Sequence, residues 1–231
     1  MIVAEQKPLD EIRRMLDGFE RVLVLGCGTC VTVCAAGGEK EVGILASTLR
    51  LADKVDGRER SFNEKSVTRQ CEWEYLDAIA DEMKASDAIL SLACGVGVQA
   101  IAERFPSTVV LPGLNTLFYG LPVEQGIWAE RCLGCGDCQL ERTGGICPIA
   151  RCAKSLQHGP CGGSAEGKCE ISPDTDCAWQ LIYDRLKALG MLDRMDVLRP
   201  PKDWGNSHAK GPRKVVREDL RITGRAEAQV N

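Results

Sequence analysis

The sequence has no apolar run near the length of about 20 residues that a membrane-spanning helix needs. Its start, MIVAEQKPLDEI, lacks the basic segment followed by an apolar segment that marks a secretory signal. We therefore expect a cytoplasmic protein without membrane insertion. The charge balance also lacks a basic excess, with 29 Lys and Arg against 33 Asp and Glu, so neither nucleic acid nor an anionic membrane is an expected partner.

Disorder throughout the chain is excluded by its composition. Hydrophobic residues make up 44% of the sequence and charged residues 27%, which is typical of a soluble protein with a buried core. A length of 231 residues leaves room for one medium domain and a small one.

Cysteine, in contrast, is abundant, with 13 residues. The thiol pool of the cytoplasm keeps cysteines reduced, so they indicate metal ligands or catalytic groups before they indicate disulfides. The odd count also disfavours complete disulfide pairing.

Strand and helix patterns alternate through the first half of the chain, after a helix that begins near Pro8. We predict strands at 22–25, 66–70, 87–92 and 108–111, helices at 29–36, 39–54, 73–83 and 96–104, a loop at 55–66 and a connector at 113–128. This alternation predicts an α/β fold with a doubly wound, mostly parallel sheet. We place this domain at 1–125, a cysteine-rich module with its covering helix at 126–198, and a basic tail at 199–231.

Five cysteines follow the predicted strands of the first domain. Cys27, Cys30 and Cys34 follow the first strand, Cys71 ends the second and Cys94 ends the third. The carboxyl ends of parallel strands meet at one edge of a sheet, where α/β folds build their sites. We expect Cys27, Cys30, Cys71 and Cys94 to hold a [4Fe–4S] cluster, with Cys34 as a fifth candidate one helical turn beyond Cys30. Zinc on the same ligands, or simple packing of small apolar side chains, are the alternatives.

Glycines after two of the strands resemble nucleotide-binding turns. Gly95-x-Gly97-x-x-Ala100 follows a strand and opens a helix, which is formally the right context. However, no Asp or Glu ends a following strand to hold a ribose, and Cys94 crowds the turn. The glycines are more simply explained as allowing a tight turn beside a metal site.

A second group of eight cysteines follows between residues 132 and 177. It comprises Cys132, Cys135, Cys138, Cys147, Cys152, Cys161, Cys169 and Cys177. The Cys-x-x-Cys-x-x-Cys spacing at its start is typical of a loop around one face of an iron–sulfur cube, and Cys147-Pro148 resembles the Cys-Pro of bacterial ferredoxins. The second ferredoxin triplet is absent. We predict two [4Fe–4S] clusters on this group, without assigning each cysteine to a cluster; a disulfide-rich or zinc-ribbon module is the alternative.

Three features surround this second group. His158 lies within it and is either a ligand, a hydrogen-bond donor to cluster sulfur or an ordinary loop residue. An amphipathic helix follows Asp176, with Trp179, Ile182 and Leu186 on one face, and we expect it to cover the clusters. The tail from Arg199 is basic and without periodicity, which favours an arm that orders on a partner or a disordered terminus.

The stretches GPCGGSAEGKCE and DCAWQLIYDRLKALG resemble the methylenetetrahydrofolate reductase C-terminal domain family. Its free-standing members are small iron–sulfur subunits of the bacterial reductase, and GCGTCVTVC, RQC and SLACGVGVQ are similar to their amino-terminal half. The resemblance is specific from residue 132 to about residue 190 and excludes the tail.

The resemblance implies a partner, a flavin-containing (β/α)8-barrel subunit that binds folate and reduces 5,10-methylene- to 5-methyltetrahydrofolate. This chain would be a non-flavin subunit of the oxidoreductase, passing electrons from an upstream donor protein and having no catalytic site of its own. One alternative is a zinc-binding assembly module of the reductase. Another is a cluster protein with its own redox catalysis at the edge formed by Cys27, Cys71 and Cys94, using an open iron or an unligated Cys34.

Overall fold

A computed structural model describes residues 1–221 of the chain. These residues divide into two compact units. The N-terminal unit comprises residues 1–133 with 149–151, and the C-terminal unit comprises residues 134–148 with the chain from 152 onward. Within the described residues, no helix combines the length and the apolarity needed to cross a membrane.

Strands and helices alternate through the N-terminal unit and become short in the C-terminal unit. The strands are β1 Ile2–Gln6, β2 Arg21–Cys27, β3 Ser61–Val67, β4 Ala88–Leu92, β5 Val109–Pro112, β6 Leu114–Glu124, β7 Ile127–Cys132, β8 Lys168–Cys169 and β9 Ser172–Asp176. The helices are α1 Leu9–Met15, α2 Cys30–Val33, α3 Glu39–Asp56, α4 Trp73–Asp77, α5 Ala80–Lys84, α6 Gly95–Arg104, α7 Pro148–Arg151 and α8 Ala178–Ala188.

The centre of the N-terminal unit is a parallel sheet with the strand order β3-β2-β4-β5. Its two middle strands are apolar and almost completely buried, because helices cover both faces. Val22 and Val24 belong to one buried cluster with residues of α3, whereas Leu23 and Leu25 belong to another with residues of α4, α5 and α6. The predicted parallel α/β sheet is confirmed.

Two sequence predictions in the N-terminal unit were wrong. The polar stretch 55–66, predicted as a loop, contains most of β3, which lies at the edge of the sheet and buries only Phe62 and Val67 among exposed polar residues. An edge strand with one solvent-exposed face has no continuous apolar run, so its sequence resembles that of a loop. The single helix predicted at 73–83 is divided into α4 and α5.

The predicted connector at 113–128 was also wrong, because it forms an antiparallel sheet. β6 pairs with β1 on one side and with β7 on the other. The stretch 117–123 has apolar residues on both sides of the strand, and those at 117, 119, 121 and 123 are all exposed. The sequence therefore lacks the alternation of apolar and polar residues that marks a half-buried strand. Gly120 and Pro122 also argue against a strand in the sequence, since both residue types are depleted in strands.

The C-terminal unit has little regular structure around one helix. Trp179, Ile182 and Leu186 of α8 form a small apolar cluster, and β8 and β9 form a two-stranded antiparallel sheet. The beginning of the predicted tail contains short 3₁₀ turns at Trp204–Asn206, His208–Lys210 and Glu218–Leu220. Residues 222–231 of that tail lie outside the described part of the chain.

Candidate metal centre

The carboxyl edge of the parallel sheet carries three cysteines from three strands. Cys27 is the last residue of β2 and lies opposite Val67, the last residue of β3. Cys71 follows β3 in the next turn, and Cys94 lies between β4 and α6. Because β2 and β4 are adjacent while their connections leave in opposite directions, this edge is the topological switch point of the sheet, where open α/β sheets bind ligands.

The pKa of the Cys71 thiol depends on the other two thiols. Cys71 as a residue is exposed, yet partial desolvation of its sulfur raises the pKa of the Cys71 thiol, and the Cys27 thiol adds to this rise. Cys94 and Glu72 raise the same pKa further, each by a smaller amount. Adjacent thiols oppose one another's ionisation, so a cation that binds them together would relieve this repulsion.

Gln70 ties the three loops together and was missed by the sequence analysis. Its side chain is completely buried, donates from Nε2 to the Leu25 carbonyl over 2.8 Å and accepts at Oε1 from the Ser91 hydroxyl over 2.6 Å. It therefore links the residue before Cys71 to the ends of β2 and β4, the strands that lead to Cys27 and Cys94. A lone glutamine near the end of a strand gives no sequence signal for this role.

The glycines of α6 serve packing at this edge. A Cβ added at Gly97 would lie 2.7 Å from the Ala93 Cβ and 3.0 Å from the Gln70 Cβ, so the residue must be glycine for α6 to approach the Gln70 turn. The Gly95 N–H donates to the Thr116 hydroxyl over 2.8 Å. Thr116 thus accepts from a backbone N–H at the start of α6, where the phosphate of a dinucleotide would otherwise bind.

Cys30 and Cys34 occupy the two ends of α2 in different environments. Cys30 is partly buried at the first residue of the helix, close in sequence to Cys27. The Cys34 thiol is buried in the apolar cluster and donates to the carbonyls of Ala4, over 3.4 Å, and Val31, over 3.5 Å. This environment is typical of a packed thiol. Cys27 belongs to the same cluster and is equally buried, so Cys34 differs from it in its two backbone acceptors and not in burial.

The other eight cysteines lie at β7 and in the C-terminal unit. Cys132 ends β7 in the N-terminal unit, and Cys135 and Cys138 follow in the loop that begins the C-terminal unit. Cys147, Cys152, Cys161, Cys169 and Cys177 are spread through the rest of the C-terminal unit, each at least partly accessible to solvent. The Cys161 sulfur accepts from the Gly163 N–H over 3.4 Å and lies 3.4 Å from a Glu170 carboxylate oxygen.

Helix α8 begins directly after Cys177 and packs against part of this group. Cys152 and Cys177 both contact the apolar cluster of Trp179, Ile182 and Leu186. The Trp179 indole N–H donates to the Leu156 carbonyl over 3.0 Å, which fixes the loop that follows Cys152 against the helix. These contacts place an apolar surface beside two of the predicted ligands.

His158 is exposed, and its Nε2 lies 3.4 Å from the Pro200 carbonyl oxygen. This contact with a backbone oxygen at the start of the tail is typical of an ordinary loop residue.

None of the 13 cysteines forms a disulfide, so their sulfur atoms are the candidate donors for a metal. All-thiolate sets suit iron–sulfur clusters and zinc. Among residues 1–221, no group of three or more His, Cys, Asp or Glu side chains is arranged around the position of a single metal ion. Thiolates on a cluster each bind a different iron, so they lie farther apart than ligands of one ion.

Comparison with protein families gives a match to part of the chain. Residues 111–205 match the family model described as methylene-tetrahydrofolate reductase C terminal, which confirms the resemblance to that family. The match begins before β6 and ends after Trp204, and is therefore longer than the stretch that carried the resemblance. No curated protein and no solved structure matches the chain.

Proposed function

We propose that the chain is the iron–sulfur electron-transfer subunit of a methylenetetrahydrofolate reductase complex. The observation that carries this proposal is that the family segment, residues 111–205, contains all eight cysteines of the second group. The family match suggests an association with this reductase. The eight cysteines would bind iron–sulfur clusters, which transfer electrons. The folate and the flavin would be bound by a partner (β/α)8-barrel subunit.

Cys27, Cys30, Cys71 and Cys94 would hold one [4Fe–4S] cluster at the edge of the parallel sheet. When bound, such a cluster supplies one-electron transfer. Gln70 links the three loops that carry these cysteines, and the buried strands beneath them keep the strand ends fixed. Cys34 stays outside this set because its thiol contacts the backbone carbonyls of Ala4 and Val31.

The eight cysteines from Cys132 to Cys177 would hold two further clusters. Small cluster modules have little core of their own, and α8 supplies an apolar surface against Cys152 and Cys177. Excluding water on that side lowers the local dielectric, which is one of the means by which a protein sets a cluster potential. The chain would thus conduct electrons from a donor protein to the partner's flavin.

The test is electron delivery to the partner. The anaerobically purified chain is reduced, freed of excess reductant and mixed with the oxidised flavin subunit, and flavin bleaching is followed by stopped flow. We expect bleaching that requires this chain and is lost when the chain is loaded with zinc instead of iron and sulfide.

A zinc-stabilised assembly module is the second candidate, because an all-thiolate donor set also suits zinc. In that case the zinc-loaded chain would bind the flavin subunit and restore its activity with an artificial donor, and no preparation of the chain would bleach the flavin.

A further inference from the structure

The beginning of the tail contains a completely buried lysine. The Lys202 side chain has 0% exposure, although lysines are rarely buried unless their charge is paired. Its Nζ donates to the Asp137 carbonyl oxygen over 2.7 Å, lies 3.0 Å from the Asp137 carboxylate and stands 5.5 Å from the centre of the Trp204 ring. The tail therefore places a positive charge beside Asp137, which lies between Cys135 and Cys138.

Cys135 shares this arrangement directly. Its sulfur lies 3.6 Å from the same Asp137 carbonyl oxygen that accepts from Lys202. A thiolate bound to iron has no S–H to donate, so in the metal-loaded chain Lys202 would continue to donate to that oxygen when Cys135 no longer can.

Two further contacts hold the tail on this loop. The Arg213 guanidinium donates to the Gly134 carbonyl over 2.8 Å and to the Asn206 carbonyl over 2.9 Å. Gly136 has a φ of +81°, and a Cβ added there would lie only 2.1 Å from the Asn206 carbonyl oxygen. Residues 134–138 thus pack closely against residues 202–213.

We propose that Lys202 is a positioning residue of the cluster bound by Cys135: it keeps the loop closed and raises the reduction potential of that cluster. The inference rests on the proposed function. A positive charge in a region from which water is excluded stabilises the state that carries the additional electron. The Asp137 carboxylate opposes this effect only in part, because it is 44% exposed and water screens it, whereas the ammonium group has no contact with water.

The test is a redox titration of the anaerobically purified full chain, followed by electron paramagnetic resonance. We expect Lys202→Met to move one midpoint potential to a more negative value and Asp137→Asn to move it to a more positive value. The control is Lys214→Met, which removes the same charge from an exposed position of the tail and leaves the potential unchanged. A role in loop structure alone would not give opposite signs for the two partners. Shifts of the same sign, or no shift with iron retained, would overturn the inference while leaving the proposed function intact.

A second measurement is independent of the metal. In the metal-free full chain, we expect Lys202→Met to increase the rate of amide hydrogen exchange at residues 134–138 several-fold, with residues 88–92 of β4 as the internal reference, because this readout does not depend on thiol ionisation. An unchanged exchange rate at residues 134–138 would overturn the positioning role even if the chain holds no cluster. Absence of iron and sulfide from the purified wild-type chain would overturn the proposed function and the effect on potential together.

Discussion

Replacement of Gln70 by Met tests whether one buried side chain fixes the edge of the sheet that carries Cys27, Cys71 and Cys94. Methionine has a similar shape but cannot form either hydrogen bond of the glutamine amide. The buried Ser91 hydroxyl would then lose its acceptor, and the Leu25 carbonyl, which lies in a strand paired on both sides, would lose its side-chain donor. At about 1–3 kcal/mol for an unsatisfied buried group, we expect a loss of about 1–3 kcal/mol in the free energy of unfolding.

The assay is urea unfolding of the metal-free chain, followed by circular dichroism. Gln99→Met is the matched control, because Gln99 is exposed on α6 and donates only to the Gly95 carbonyl, so its loss should remain within about 0.5 kcal/mol. Ser91→Ala alone leaves Gln70 Oε1 without a donor, and the double variant should lose at least about 1 kcal/mol less than the sum of the two single changes. Strict additivity, or a cost of Gln70→Met no larger than that of the control, would refute this account of the edge.

Three other changes test the packing and charge assignments. Arg60→Met should cost about 3–5 kcal/mol in urea unfolding, because the Asp53 carboxylate, 3% exposed, then remains buried without its partner; a cost below about 1 kcal/mol would contradict this. Hydrogen bonds from the Arg21 guanidinium and N–H hold the pKa of Asp87 below the ordinary value of about 3.9, so Asp87 stabilises the fold above that pH and the contribution is lost as the pH falls through the lowered pKa. Asp87→Asn should therefore reduce stability at pH 7 and make no difference at the acid end of a thermal melting series, and a penalty independent of pH would contradict the assignment. Ile182→Ala should destabilise the C-terminal unit by about 2–4 kcal/mol, measured by fluorescence of the adjacent tryptophan, and an unchanged midpoint would show that α8 does not depend on this cluster.

The sequence predicted the part of the fold that depends on continuous apolar runs. β2 and β4 are buried on both faces, and their sequences show it, so the parallel sheet and the position of Cys27 and Cys94 at its edge followed directly. β3 and β6 were missed because most of their residues are exposed. Their pairing with neighbouring strands, which the local sequence does not show, is what makes them strands.

The side chains that organise the candidate site were less accessible to prediction. Gln70 contacts a carbonyl that lies 45 residues earlier in the chain, and Lys202 contacts a carbonyl that lies 65 residues earlier. Nothing in the local sequence distinguishes them from ordinary surface residues, since their burial is created by segments far away in the chain. Cysteine spacing, in contrast, is local, and it indicated the candidate ligands without the fold.

The most direct test of the central claim is the iron, acid-labile sulfide and zinc content of the anaerobically purified full chain, compared with its Cys94→Ser and Cys135→Ser variants. An electron-transfer subunit with clusters in both units predicts equal amounts of iron and sulfide, and a loss of about four iron atoms per chain in each variant. A colourless chain that contains zinc without sulfide would contradict the account.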